Sequence, residues 1–177
     1  RRTGVDKLIQ QKWLEPDWNS ELIVPKLPFQ QFLDLGIKAI VLDVDGTLLP
    51  GKETSISEAT REWVYAAKSH FVLHLLSNNP SKRRIGAVAH QLNLPFICGA
   101  AKPRRTHLSL LIQKFGLNPS QIAIVGDRIF TDVLAGNRLG LYTVLVKPIS
   151  QNLNSTKKGT IQKVEISIAK WLGAKQL

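Results

Sequence analysis

The chain has 177 residues, 44% of them hydrophobic and 21% charged, enough apolar material for one folded domain and too much for a disordered chain. No apolar run approaches the roughly 20 residues that span a bilayer, and the single cysteine, Cys98, excludes a disulfide framework or a thiolate zinc site within one chain. A formal net charge of +11 points to anionic partners, whether phosphorylated substrate, nucleic acid or anionic lipid.

Residues 1–37 read as an irregular or partly helical arm, interrupted by Pro16, Pro25 and Pro28. A strand–helix rhythm then begins. Lys38 to Val44 reads as a buried strand. Ser57 to Lys68 reads as a helix, with Ala59, Trp63, Ala66 and Ala67 mostly on one face. Phe71 to Leu76 is a strand, and Ser81 to Leu92 is a helix with Ser81 as its N-cap. Pro95 to Cys98 is a short strand in which Cys98 is expected to be a small buried residue. Arg104 to Phe115 is a helix stopped by Gly116. Gln121 to Val125 is a strand, Thr131 to Arg138 a helix, and Leu141 to Val146 a strand. Residues 149–177 form a basic tail whose Ile161, Val164, Ile168 and Trp171 lie at helical spacing. That stripe is expected to dock on the domain at 38–148, with an interfacial amphipathic helix as the alternative.

Strands alternating with helices imply an α/β fold, a doubly wound, Rossmann-like parallel sheet covered on both faces. Ligands in such folds sit beyond the carboxyl ends of the strands. The polar residues there are Asp43-Val44-Asp45-Gly46-Thr47 after the first strand, Ser77-Asn78-Asn79 after the second, Lys102 after the third, and Asp127 after the fourth with Asp132 five residues on. Crowded carboxylates repel unless a cation sits among them. Asp43, Asp127 and Asp132 offer hard oxygen ligands that suit Mg²⁺. Asp132 also fits as a support behind the ligands or as a cap on the helix that follows. Asp43 can attack phosphorus as a covalent nucleophile. Asp45 is placed to protonate the leaving alkoxide and later to take a proton from the hydrolytic water. Ser77, with Asn78 beside it, and Lys102 supply hydrogen bonds and positive charge to a phosphate. Thr47 either supports Asp45 or only shapes the turn. The histidines (His70, His74, His90, His107) form no ligand spacing and are expected to be structural or exposed.

Asp43-x-Asp45-Gly46-Thr47, Ser77, Lys102 and Gly126-Asp127-x-x-x-x-Asp132, in that order and each at a strand end, resemble the four motifs of the haloacid dehalogenase (HAD) superfamily. The second aspartate of its first motif marks phosphatases and phosphotransferases, so the resemblance implies phosphoester hydrolysis through an aspartyl-phosphate. It also implies that the main-chain carbonyl of Asp45 is a metal ligand beside Asp43 and Asp127. Only 31 residues separate Asp45 from Ser77 and 24 separate Ser77 from Lys102. That leaves no room for a cap domain and favours bulky substrates. The run from Val125 to Gly140, with Thr131-Asp132, Gly136-Asn137-Arg138 and Gly140, is similar to the YqeG group of capless phosphatases. Its eukaryotic relatives act on phosphatidylglycerophosphate. Gly46 departs from that group, which usually has Asn there.

The resemblance therefore leads to a phosphorylated, lipid-linked substrate and peripheral contact with an anionic membrane. Hydrolysis of a soluble phosphomonoester is the first alternative. A basic RNA- or ribosome-associated assembly factor is the second; four intact motifs and the lack of an aromatic-rich stretch weigh against nucleic acid. No signal peptide is visible. The chain contains no Met, not even at position 1, so a preceding segment is expected. The expected location is the cytoplasm, or a plastid stroma or organelle matrix if that segment is a transit sequence.

Overall fold

A computed structural model describes residues 12–51, 53–149, 156–175 and 177. The readings made for the start of the arm and for residues 150–155 of the tail lie outside the described residues. Six parallel strands form one sheet: β1 (Trp18–Asn19), β2 (Ala39–Leu42), β3 (Val72–Leu76), β4 (Phe96–Ile97), β5 (Ile122–Gly126) and β6 (Tyr142–Leu145). Their order is β1-β6-β5-β2-β3-β4. β2 lies in the middle, with Leu42 paired to Leu75 on one side and to Val125 on the other. From β2 the chain winds outward through β3 and β4, then returns to β5 on the opposite side. The strand order therefore reverses between β2 and β5, and the crevice beyond their carboxyl ends is where this topology places a ligand.

Alternation along the strands fills two cores. Ile40, Leu42, Leu73, Leu75 and Val125 face one side. There they meet α1 (Phe29–Asp34) through Phe32, α2 (Glu58–Ala67) through Trp63 and Val64, and α3 (Lys82–Leu92) through Ile85 and Val88. Ala39, Val41, Ile122 and Ile124 face the other side, against Leu108 and Leu111 of α4 (Thr106–Phe115) and Ala135 of α5 (Leu134–Asn137). Ser57 caps α2 by accepting from the Thr60 N–H at 3.2 Å, and Ser81 caps α3 by accepting from the Arg84 N–H at 3.3 Å. Gly116 ends α4 at φ +63°.

Four features differ from the expectations. The arm supplies a two-residue edge strand, β1, and its Val24, Leu27 and Phe32 are buried. A strand that short carries no period to detect. Cys98 lies one residue beyond β4 and is only half-buried, as are Phe96 and Ile97 of this edge strand. The helix expected from Thr131 starts instead with a π-turn, Ile129–Val133, that runs into α5. The last helix, α6 (Thr156–Trp171), does pack on the rest of the fold, but through Gln162, Glu165 and Ala169. The expected docking stripe of Ile161, Val164, Ile168 and Trp171 is exposed.

Candidate active site

The site is built from the loops that follow β2, β3 and β5 and the segment after β4. Asp43 follows β2 directly and is buried at 7% exposure; its N–H donates to the Val125 carbonyl of β5 at 3.0 Å. Lys102 is buried too. Its ammonium meets Asp43 Oδ1 at 2.7 Å and Asp132 Oδ1 at 2.6 Å, and donates to the Leu76 carbonyl at 2.7 Å. Two of its N–H donors are thus in hydrogen bonds, and its charge is also paired with Asp132. Burial works against the Lys102 charge, but Asp132 and Asp43 outweigh it and hold the ammonium above the usual lysine range. Burial also raises the Asp43 carboxyl from 3.8 to about 6, against the pull of Lys102 and with help from the Asp132 charge.

Carboxylate oxygens of Asp43, Asp127 and Asp132 all lie within 4.8 Å of one another, and all three residues are buried. Three carboxylates face one lysine ammonium here, and every donor atom is a hard oxygen. Such a set suits a divalent cation of the Mg²⁺ or Ca²⁺ kind. The Thr47 hydroxyl lies 3.3 Å from Asp43 Oδ2 and 3.5 Å from Asp127 Oδ1. It thus supports the buried pair and not Asp45, the partner considered from sequence.

Two glycines allow this crowding. Gly46 has φ +98°, and a Cβ there would lie 2.4 Å from Asp127 Oδ2. In this chain Gly46 is therefore a requirement of the Asp127 position. A Cβ on Gly126 would meet the Asp132 carboxyl carbon at 2.3 Å. The π-turn closes this approach: the N–H groups of Asp132 and Val133 both donate to the Arg128 carbonyl, at 3.1 and 3.3 Å. One inserted residue folds Asp132 back beside the end of β5.

Asp45 stands apart from the buried cluster. It is half-buried, its Oδ2 lies 3.4 Å from the Ser77 hydroxyl, and its Oδ1 pairs with the Arg84 guanidinium at 2.7 Å. The same Arg84 nitrogen reaches the carbonyls of Gly51 and Glu53 at 3.0 and 2.8 Å. Sequence reasoning missed Arg84. Its position in the first turn of a capped helix beside the Ser77 loop was the available signal. Asn78 has its side chain engaged at the main chain of Lys102, accepting from the N–H at 2.7 Å and donating to the carbonyl at 2.9 Å. Its contacts hold the lysine segment in place. Of the histidines, His74 is buried against the Leu75 carbonyl and His107 bonds the Ala100 carbonyl, so neither joins the site.

The loop after β5 is fixed from outside by α6. Gln162 donates to the carbonyls of Asp127 and Val146 at 2.7 and 2.8 Å. Glu165 accepts from Arg128 Nε at 2.7 Å and from the Ile129 N–H at 2.9 Å. That carboxylate, ahead of the cost of burial, holds the Arg128 guanidinium above its ordinary value.

The chain is similar to proteins described as phosphatases. Residues 99–159, which carry Lys102, Asp127 and Asp132, match the family described as HAD-hydrolase-like. The chain is 28% identical to the Bacillus subtilis protein named "Probable phosphatase YqeG" over 123 residues, covering 70% of this chain and 72% of that one. It is 27% identical to the mitochondrial phosphatidylglycerophosphatase GEP4 of Saccharomyces cerevisiae, covering 73% and 80%. It is 28% identical to phosphatidylglycerophosphate phosphatase 1 of Arabidopsis thaliana, covering 77% of this chain but only 42% of that protein's length. Among solved structures, the cobalt-bound deoxy-D-mannose-octulosonate 8-phosphate phosphatase of Haemophilus influenzae shares the fold. It aligns with a TM-score of 0.52 at 19% identity, over 63% of this chain and 69% of that one.

Proposed function

We propose that this chain, which is a phosphatase of the haloacid dehalogenase type, hydrolyses phosphomonoesters with Mg²⁺ through an aspartyl-phosphate on Asp43, and that its substrate is phosphatidylglycerophosphate. The observation that carries the chemistry is the meeting of Asp43, Asp127 and Asp132 around Lys102, with Asp45 held separately on the same loop. Asp43, Asp127 and the main-chain carbonyl of Asp45 would hold the ion, with Asp132 behind them as a partner of Lys102. When bound there, Mg²⁺ supplies positive charge against the phosphate oxygens.

The protein's own groups carry the steps. Lys102 fixes one oxygen of Asp43 and keeps the carboxylate ionised for attack. Asp43 forms a bond to phosphorus as the ester P–O bond breaks, and protonated Asp45 gives its proton to the departing alkoxide. Asp45, now a carboxylate, takes a proton from the water that attacks the aspartyl-phosphate. Inorganic phosphate leaves and Asp43 is restored. Ser77 supplies a hydroxyl donor and Lys102 its positive charge to the equatorial oxygens, where transition-state charge accumulates. Asn78 acts by holding the Lys102 main chain, and Thr47 by bridging Asp43 and Asp127.

Two features support the lipid substrate: the similarity to phosphatidylglycerophosphate phosphatases and the exposed cations Lys82, Arg83, Arg104 and Arg105 on the segments that follow β3 and β4. The reading carries with it a peripheral encounter with an anionic membrane from the cytoplasmic or organelle-matrix side. Among the described residues no helix is long and apolar enough to cross a membrane. The test is phosphate release from phosphatidylglycerophosphate in mixed micelles, with and without Mg²⁺, beside a soluble aryl phosphate and an Asp43→Asn protein. Metal-dependent release from the lipid, faster than from the aryl phosphate and lost in Asp43→Asn, is expected. Cleavage of the aryl phosphate alone replaces the substrate with a soluble phosphomonoester, and cleavage of neither overturns the enzymatic reading.

A further inference from the structure

Among the described residues, nothing covers the outer face of α6. Ile161, Val164, Ile168 and Leu172 are between 42% and 50% exposed, and Trp171 is 84% exposed. At 100° per residue these side chains span an arc of roughly 100°, beside the inward arc of Gln162, Glu165 and Ala169. The helix thus has two apolar-containing faces, and only one is covered.

Charge identifies what covers the other. From residue 156 onward the chain has Lys157, Lys158, Lys163, Lys170 and Lys175 and a single acid, Glu165. Glu165 is buried and bound to Arg128 and Ile129, so it places no negative charge on the outer face. Among the described residues, the exposed charged side chains beside this apolar arc and its tryptophan are lysines alone, Lys163, Lys170 and Lys175. A second copy of this chain, itself at +11, would bring two basic faces together. An anionic bilayer offers both an apolar interior and a negative surface.

Location adds a third argument. The inward face of α6 grips the carbonyls of Asp127 and Val146 and the N–H of Ile129, all just beyond the carboxyl ends of β5 and β6. The uncovered arc therefore sits at the end of the sheet that carries the candidate site.

We infer that the outer face of α6 is a docking surface for an anionic lipid bilayer, one that lays the helix in the headgroup layer and brings the open site to lipid-borne phosphate. The choice of occupant rests on the lipid-phosphatase reading, and the test separates the two. The full chain is sedimented with vesicles of phosphatidylcholine mixed with phosphatidylglycerol and with vesicles of phosphatidylcholine alone, at low and high salt. Beside it runs a Val164→Ser/Trp171→Ser protein, whose thermal melting is recorded as the check on folding.

Binding to the anionic vesicles that weakens with salt, and falls about tenfold or more in the variant, is expected. The variant should melt at an unchanged temperature, since neither side chain enters a core. An unaltered chain that stays in the supernatant overturns the inference, as does a variant that binds as tightly. So does a self-associating chain, detected by sedimentation velocity, that the two substitutions turn into a monomer. Phosphatidylglycerophosphate dispersed in detergent micelles needs no docking. Failure to hydrolyse it, with vesicle binding intact, sinks the substrate reading and leaves the docking face standing.

Discussion

Asp43 sits 7% exposed in the fold, with a lysine on one oxygen and two further aspartates close by. Burial, the larger influence, raises its carboxyl from 3.8 to about 6 even with Lys102 beside it. The sign of the consequence follows from proton linkage. A carboxyl whose folded value lies above its unfolded one holds its proton more tightly in the folded state. Its favourable contribution is present below pH 3.8 and is lost as pH rises to about 6. Metal-free protein should therefore lose stability through this group across that window. Added Mg²⁺ should restore it, most strongly at neutral pH, where no proton competes for Asp43. By the same logic Asp43→Asn, which cannot ionise, should melt higher than the unaltered chain in chelator at neutral pH, by on the order of 5 °C. The same protein should be inactive. Calorimetry across this pH range, with chelator and with Mg²⁺, checks all of these outcomes; a metal-free protein that gains stability from pH 4 to pH 6 on account of Asp43 contradicts the assignment.

Arg84 is the second residue whose role is local. Its guanidinium joins Asp45 to the carbonyls of Gly51 and Glu53, and so fixes the proposed acid and base against the loop that carries it. Arg84→Gln should lower kcat on a soluble aryl phosphate by about 10- to 100-fold with little change in KM, because the loss is one of orientation. Arg84→Lys should recover only part of that, since an ammonium cannot reproduce the guanidinium's planar geometry. A large rise in KM with kcat intact would show Arg84 to be a substrate contact instead.

Between elements, the tie that matters most is the one α6 makes to the loop after β5. Glu165 satisfies Arg128 and the first N–H of the π-turn, and that turn carries Asp132 into the cluster. Glu165→Gln keeps the shape but removes the charge, so the loop should loosen. Metal affinity should fall by about tenfold, while far-ultraviolet circular dichroism stays the same. Titration calorimetry with Mg²⁺ reads the difference, and an unchanged affinity would show that the loop holds its form without α6. These ties also show why some elements were legible in the sequence and others were not. β2 and β5 are runs of apolar residues buried on both faces, β3 departs from that only at exposed Val72 and at His74, and the motif residues follow all three directly, so the strands and the carboxylates were visible together. Ser81 announced the helix it caps. β1 pairs through two residues only, and no period exists at that length. The inner face of α6 was hidden for the opposite reason. Its contacts are made by a glutamine, a glutamate and an alanine, while the more conspicuous apolar residues point away. Arg84 and Asn78 work through main-chain carbonyls and amides of distant loops, contacts that no spacing along the chain encodes.

At the scale of the whole molecule, charge is the property that local reading leaves without an address. No acidic residue lies between Glu62 and Asp127, and that stretch contributes the exposed cations Lys82, Arg83, Arg104 and Arg105 on the segments that follow β3 and β4. α6 adds lysines at the same end of the sheet. A substrate embedded in an anionic surface meets this field at long range, whereas a small soluble phosphate ester meets mainly the buried cluster. Salt should then separate the two. Raising the ionic strength from about 0.01 M to about 0.5 M shortens the screening length several-fold, so long-range attraction fades while buried pairs persist. Initial rates on phosphatidylglycerophosphate in anionic micelles should fall about tenfold or more across that range, chiefly through the apparent KM. Turnover of an aryl phosphate should change by less than about twofold, because Lys102, Asp43 and Asp132 are shielded from solvent. Equal loss on both substrates would locate the salt effect in the site itself and leave the outer cations as charge for solubility. Loss confined to the micellar substrate would identify those cations and α6 as the surface that delivers a lipid phosphate to Asp43.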